Sequence, residues 1–199
     1  MSDDEGRHGV GRVGAFSDGV LAIIITIMVL ELKAPEQPGL QYLLRLWPTF
    51  AAYALSFAYV GIYWVNHHRL FGHATRVSNA LVWFNLGLLF ALSLIPFSTA
   101  YLGNMHFSRD ATWLYLATML LPAFSYVPLQ HVIRATGSQS DPAQLYHRQT
   151  TRKGLAAAAV YIAGIPLTLV SPWLGIGCAL IVAVLWFLPN SPFDRWFER

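Results

Sequence analysis

The chain has 199 residues, 55% of them hydrophobic and only 12% charged, with a mean hydropathy of +0.46, a balance that excludes an ordinary soluble domain. Four stretches hold no Asp, Glu, Lys or Arg: 46–68 (23 residues), 77–108 (32), 111–133 (23) and 154–193 (40). About 20 residues of helix cross a bilayer, so the composition specifies an all-α membrane protein. The lone cysteine, Cys178, removes both a disulfide framework and a cysteine-based metal site.

Residues 1–11, with Asp3, Asp4, Glu5, Arg7 and interspersed glycines, read as a short flexible tail, too polar for the apolar centre of a signal peptide. Residues 12–190 then form one domain of six transmembrane helices. The first span covers about 13–32 and stops before Lys33-Ala34-Pro35, because proline cannot continue a helix. The second, about 48–66, opens on Pro48 as a first-turn proline and closes at Asn66-His67-His68-Arg69. The third, about 78–101, carries Pro96 as a kink or exit, and the fourth, about 112–133, contains Pro122 and Pro128. Dividing the 40-residue run at Ser171-Pro172 gives two short helices, about 154–170 and 173–189, before a tail at 191–199.

With the N-terminus inside, Arg7, Arg12, Arg69, Arg76, Arg134, Arg148, Arg152, Lys153, Arg195 and Arg199 are cytoplasmic, and Lys33, Arg45 and Arg109 are outside. That asymmetry, 10 against 3, predicts both termini in the cytoplasm of a multi-pass cell-membrane protein. An even number of spans is needed to keep it. Trp47, Trp113, Trp173 and Trp186 lie near span ends, where interfacial anchors belong.

The first span differs from the other five in carrying Ser17, Asp18 and Thr26, with only 12 uncharged residues between Asp18 and Glu31. Ionisable groups inside a span usually face a bundle interior or a water-filled path. Two readings of Asp18 remain open: a local cap or pair with Arg12, or a brace to another helix. Ile23, Ile27 and Leu30 fall at i, i+4 and i+7, with Thr26 on the neighbouring row. Around a symmetry axis such a stripe makes a narrow apolar constriction with one ring of hydroxyls, able to gate ions by dewetting. Periodicity alone equally allows ordinary helix packing.

The segment Arg12-Val13-Gly14-Ala15-Phe16-Ser17-Asp18-Gly19-Val20-Leu21-Ala22-Ile23, followed by Thr26 and Leu30-Glu31-Leu32, closely resembles the R-x-x-x-F-S-D-G-V-x-A-I signature of the bacterial relatives of the lysosomal potassium channel, transmembrane protein 175. Tyr63-Trp64-Val65-Asn66-His67-His68-Arg69-Leu70-Phe71 and the stretch from Asn85 to Ile95-Pro96-Phe97 are similar to that family's second and third helices. The resemblance implies a potassium-permeable cation channel, a homotetramer in the lipid bilayer, with the first helix lining the pore. It implies that Ile23 is the main constriction, Thr26 a polar layer and Leu30 a further apolar layer, with permeant potassium near Ile23 and Thr26 and no resident cofactor. It also implies that Arg12, Phe16, Ser17 and Asp18 brace the pore helix. The T-V-G-Y-G carbonyl filter of ordinary potassium channels is absent from the sequence.

One of the adjacent His67 and His68 is expected to face inward, helping Trp64 and Asn85 anchor Ser17–Asp18, while the other lies at the interface. Adjacent helical residues diverge by about 100°, so the two cannot face one metal ion, and no metal site is expected. Asn85, mid-span, needs a polar partner that only another helix supplies. Gly9-Val10-Gly11-Arg12-Val13-Gly14 satisfies G-x-G-x-x-G, but no strand precedes it and no βαβ unit follows. The basic segment 134–153 reads as a flexible cytoplasmic connector beside an anionic leaflet rather than a nucleic-acid site. Without a G-x-S-x-G or a second carboxylate to pair with Asp18, neither an enzyme nor a small-molecule substrate is expected. The alternative function is a proton-coupled secondary transporter using Asp18, although the sequence shows no internal repeat.

Overall fold

The computed structural model describes residues 3–137 and 140–187, and those residues are helices joined by short connections. The helices are α1 (Asp3–Val29), α2 (Leu40–Leu44), α3 (Trp47–Phe71), α4 (Asn79–Ser93), α5 (Ile95–Asn104), α6 (Arg109–Thr136), α7 (Asp141–Leu167) and α8 (Pro172–Phe187). Among the described residues three helical stretches are long and apolar enough to cross a membrane: Gly6–Val29, Asn79–Asn104 and Arg109–Thr136. Pro172–Phe187 is apolar but shorter.

Two expectations are corrected. The flexible tail expected over 1–11 is helical from Asp3 onward. A Cβ on Gly6 would stand 2.8 Å from the Thr75 carbonyl oxygen, and one on Gly9 would stand 3.2 Å from Val77 Cγ2. The missing side chains let α1 run close against the loop at 72–78, and that contact orders turns too glycine-rich to be helical alone. The connector expected over 134–153 is also mostly helix, with α6 ending at Thr136 and α7 resuming at Asp141. Ala143, His147 and Thr150 are buried there, so the polar half of α7 folds by tertiary contact rather than by apolar pattern. The fifth helix is accordingly 27 residues long rather than short.

Prolines set the remaining boundaries. Pro48 and Pro96 occupy the first turns of α3 and α5, where a missing N–H costs nothing. Pro96 thereby divides the third expected span into α4 and α5, with Leu94 between them. Ser78 caps α4, its hydroxyl oxygen accepting from the Leu81 N–H at 3.1 Å. Pro122 and Pro128 remain inside α6. The last residues of the sixth expected span and the tail at 191–199 lie outside the described residues.

One continuous core runs through the bundle, with Leu21, Ile24 and Met28 of α1, Tyr59 and Val60 of α3, Leu88 and Leu92 of α4 and Tyr115 and Met119 of α6. The ends of the bundle fix the direction of its helices. At one end Trp47 (start of α3), Phe107 (before α6) and Trp173 (start of α8) stack, with ring centroids 5.5–6.4 Å apart. At the other, Thr75, just after α3, donates to the Thr136 carbonyl at the end of α6 (2.9 Å). Beside it, His73 packs on Tyr146 and His147 of α7. Thus α3, α6 and α8 start at the first end, and α7 starts at the second.

Candidate pore helix and its brace

Helix α1 touches α3, α4 and α5 with one face. On that face Val10, Ser17, Leu21, Ile24 and Met28 are buried. The opposite face carries Arg12, Phe16, Ile23, Thr26 and Ile27, continued by Leu30 in the turn just after the helix, all exposed. Ile23 is 58% exposed and Leu30 70%, so the stripe identified by spacing faces away from its own bundle. The Thr26 hydroxyl donates back to the Ile23 carbonyl at 3.0 Å, which leaves its oxygen lone pairs turned to the exposed side for a further donor or cation.

The buried face is held by a directional chain of hydrogen bonds from three helices. The Asn85 carboxamide N–H donates to Ser17 Oγ at 2.9 Å, and the Ser17 hydroxyl donates in turn to the Val13 carbonyl at 2.9 Å. The Asn85 Oδ1 lies 2.8 Å from His67 Nε2. Because a carboxamide oxygen only accepts, the proton in that bond belongs on Nε2, which fixes the tautomer. Ser17, His67 and Asn85 are 0–2% exposed. Phe71 stacks on the His67 ring at 4.2 Å and holds its plane. Alongside, the Trp64 indole N–H donates to Asp18 Oδ1 at 2.9 Å, so the carboxylate braces α1 to α3.

These contacts separate the candidates. Ser17, Asp18, Trp64, His67 and Asn85 come together as one brace. His67 is the histidine that turns inward; His68 is exposed and stacks on Trp64 at 6.0 Å. Arg12 and Phe16 do not join the brace within the chain, because both lie on the exposed face. Both line an open groove with Val82, Asn85 and Leu86 of α4. Metal-ligating groups of three or more His, Cys, Asp or Glu are absent among the described residues.

A second layer, which sequence reasoning missed, supports the other half of α1. Met28 is fully buried against Thr99 of α5, with Sδ 3.9 Å from the hydroxyl. That hydroxyl is 2.7 Å from both Ser56 Oγ and the Ile95 carbonyl, and Ser56 Oγ is 3.0 Å from the Tyr115 hydroxyl. The Thr99 hydroxyl shares its single proton between Ser56 Oγ and the Ile95 carbonyl, and Ser56 and Tyr115 complete the chain with a bond that either hydroxyl can donate. The available signal was the placing of Ser56 and Thr99 in the middle of charge-free runs, where an unpartnered hydroxyl is costly.

Together these features define an all-helical membrane protein in which one braced helix turns an aliphatic stripe away from its own core. The family model described as endosomal/lysosomal potassium channel TMEM175 matches residues 12–96, which hold both the stripe and the brace. A potassium channel of a Chryseobacterium species is 41% identical over 186 residues, covering 93% of this chain and 96% of that protein. A potassium channel of Chamaesiphon minutus is 34% identical over 192 residues, covering 91% and 95%. A crystal structure of a lysosomal potassium-selective channel TMEM175 homolog from Chamaesiphon minutus superposes with a TM-score of 0.80 at 31% identity, covering 92% of this chain and 98% of that one. The human endosomal/lysosomal proton channel TMEM175 is 34% identical over 113 residues, which are 51% of this chain but 20% of that protein. The chain belongs to the TMEM175 family, a family of membrane ion channels rather than enzymes.

Proposed function

We propose that the protein is a potassium-permeable cation channel of the cell membrane. Four identical subunits of six spans, with both termini cytoplasmic, surround a pore lined by α1. The observation that carries this reading is the exposure of Ile23, Thr26, Ile27 and Leu30 on a helix whose other face is locked by hydrogen bonds. A single subunit cannot enclose a path with one helix, so copies must meet along that face. Four Ile23 side chains then form a ring in which an ion sheds water without gaining ligands, and desolvation sets the barrier. Thr26 supplies the hydroxyl ring where a partly dehydrated potassium ion finds oxygen. Ile27 and Leu30 extend the dry wall toward the outside. Arg12 and Phe16, on the same exposed face, brace each pore helix against the neighbouring subunit. The ion is cargo, and no resident cofactor is needed.

The relatives named potassium channels support potassium as the ion. The human relative named a proton channel makes protons the second ion to test, with Asp18 of α1 as an acidic group to probe. A proton-coupled transporter is less well supported, because Asp18 is occupied by Trp64. The test is flux from liposomes holding purified protein, driven by a potassium gradient, with sodium and proton gradients as comparisons. The expected result is potassium efflux without a counter-substrate. Saturable uptake that requires a proton gradient would replace the channel with a transporter. An Ile23→Cys protein should cross-link between subunits on oxidation, and labelling of that cysteine by a lipid-phase reagent would place the stripe in lipid instead.

A further inference from the structure

His147 of α7 is 1% exposed, and among the described residues neither ring nitrogen has a hydrogen-bond partner. Such a group costs free energy that a bonded histidine does not. Its ring lies 5.4 Å from that of His73 in the loop after α3, and His73 lies 4.8 Å from the Tyr146 ring. The groups facing His147 are His73 from the loop, Arg134 from α6 and Tyr146 from its own helix. Gln130 of α6 donates to the His147 carbonyl at 2.9 Å rather than to the ring, and the Thr150 hydroxyl, one turn along, is also buried without a partner. Burial, then His73, then Arg134 push the His147 pKa down to about 4, and burial lowers that of His73. Neutral, these rings pack as an aromatic cluster. One added proton puts a cation beside Arg134 and a second imidazole, and no carboxylate among these groups offsets it.

The cluster holds the loop at 72–78 in place. Thr75 donates to the Thr136 carbonyl, and a Cβ on Gly137 would come within 2.2 Å of the His73 carbonyl oxygen. Only glycine permits that approach. The same loop bears on α1 through Thr75 at Gly6 and Val77 at Gly9. It is therefore clamped between the corner of α6 and α7 on one side and the first turns of α1 on the other.

We propose that His73, Tyr146 and His147 form an acid-released latch that clamps the 72–78 loop, and through it the first turns of α1, while the histidines are neutral. Its effect on conduction rests on the reading of α1 as the pore helix. An exposed histidine takes its proton near pH 6.5, whereas His147 in the closed latch does so only near 4. The latch therefore has its full strength above about pH 6.5, weakens as pH falls through the window down to about 4, and changes no further below it.

The test is hydrogen exchange of the full chain in lipid nanodiscs at pH 7.5 and 4.5, corrected for the intrinsic rate and read at residues 3–10 and 72–78. In the wild type, acid should cut protection of both segments by about 70-fold if His147 alone sets the linkage. His147→Phe keeps a packed ring without a titrating nitrogen and should show no such loss. His73→Phe, at a less buried position, removes one repelling neighbour and should show a smaller loss. Equal acid sensitivity in wild type and both variants, or none in the wild type, would overturn the latch. Potassium flux on the same proteins separates the two readings: acid release in exchange with no flux at any pH keeps the latch and overturns the pore.

Discussion

On α1 the residues Ser17, Leu21, Ile24 and Met28 are 0–3% exposed, whereas Ile23, Ile27 and Leu30 are 45–70% exposed. Ile23 and Ile24 are chemically identical neighbours, so hydrophobicity does not decide which one meets the core. The decision is made one and two turns earlier, where Asn85 takes Ser17 and Trp64 takes Asp18. Those two bonds fix the rotation of the helix about its axis, and the stripe follows from that rotation. In a bilayer, where lipid is as apolar as leucine, directional polar contacts can set such a rotation when burial alone cannot. The outward face is thus free to serve another copy, and the inward face determines where it points.

This contrast can be broken from either side. The largest expected effect is on the outward face: Ile23→Asn gives a dehydrating ion a ligand, and lowering the barrier by about 1.4 kcal/mol raises potassium flux about tenfold. Discrimination against sodium should weaken in the same liposome assay, and Leu30→Asn should do both less. Unchanged flux and preference in a confirmed tetramer would remove Ile23 from the pore. Next comes the inward face, where Asn85→Ala strands His67 Nε2 and leaves Ser17 only its bond to the Val13 carbonyl, and should cost about 1–3 kcal/mol. A lower thermal midpoint of the detergent-solubilised protein would register it, together with loss of tetramer on gel filtration.

A finer cut distinguishes the two partners of the Asp18 bond. Trp64→Phe removes the indole donor to Asp18 and should cost about 1 kcal/mol, while Asp18→Asn keeps an oxygen that can still accept and should cost less. Equal losses would mean that the charge on Asp18, rather than the bond, holds α1. The smallest effect is expected from Thr26→Val, which keeps the shape of the stripe but deletes its hydroxyl ring. Single-channel conductance should fall about twofold without loss of assembly.

Much of this was legible in the chain itself. Charge-free runs and proline positions specified a helical membrane protein and the break between α7 and α8, because the bilayer allows few backbone solutions and proline acts locally. The stripe of Ile23, Thr26, Ile27 and Leu30 followed from the 3.6-residue period, though its pore role came only from the family resemblance, and Ser17, Asp18, Trp64, Asn85 and one of His67 and His68 were legible as polar residues in apolar surroundings. What the period could not give was direction: a helix has the same sequence whichever way it is rotated, so exposure of Ile23 rather than Ile24 waited on the bonds to α3 and α4. The same holds for His67 over His68, which are adjacent in sequence and were separated only by the position of Asn85. Residues 3–11 and 141–153 looked too polar to be ordered, and only the loop at 72–78 and the flank of α6 make them helical. His73 and His147 meet because three helix ends converge there. Such a contact is fixed by how α3, α6 and α7 pack, and local sequence carries no period that announces it.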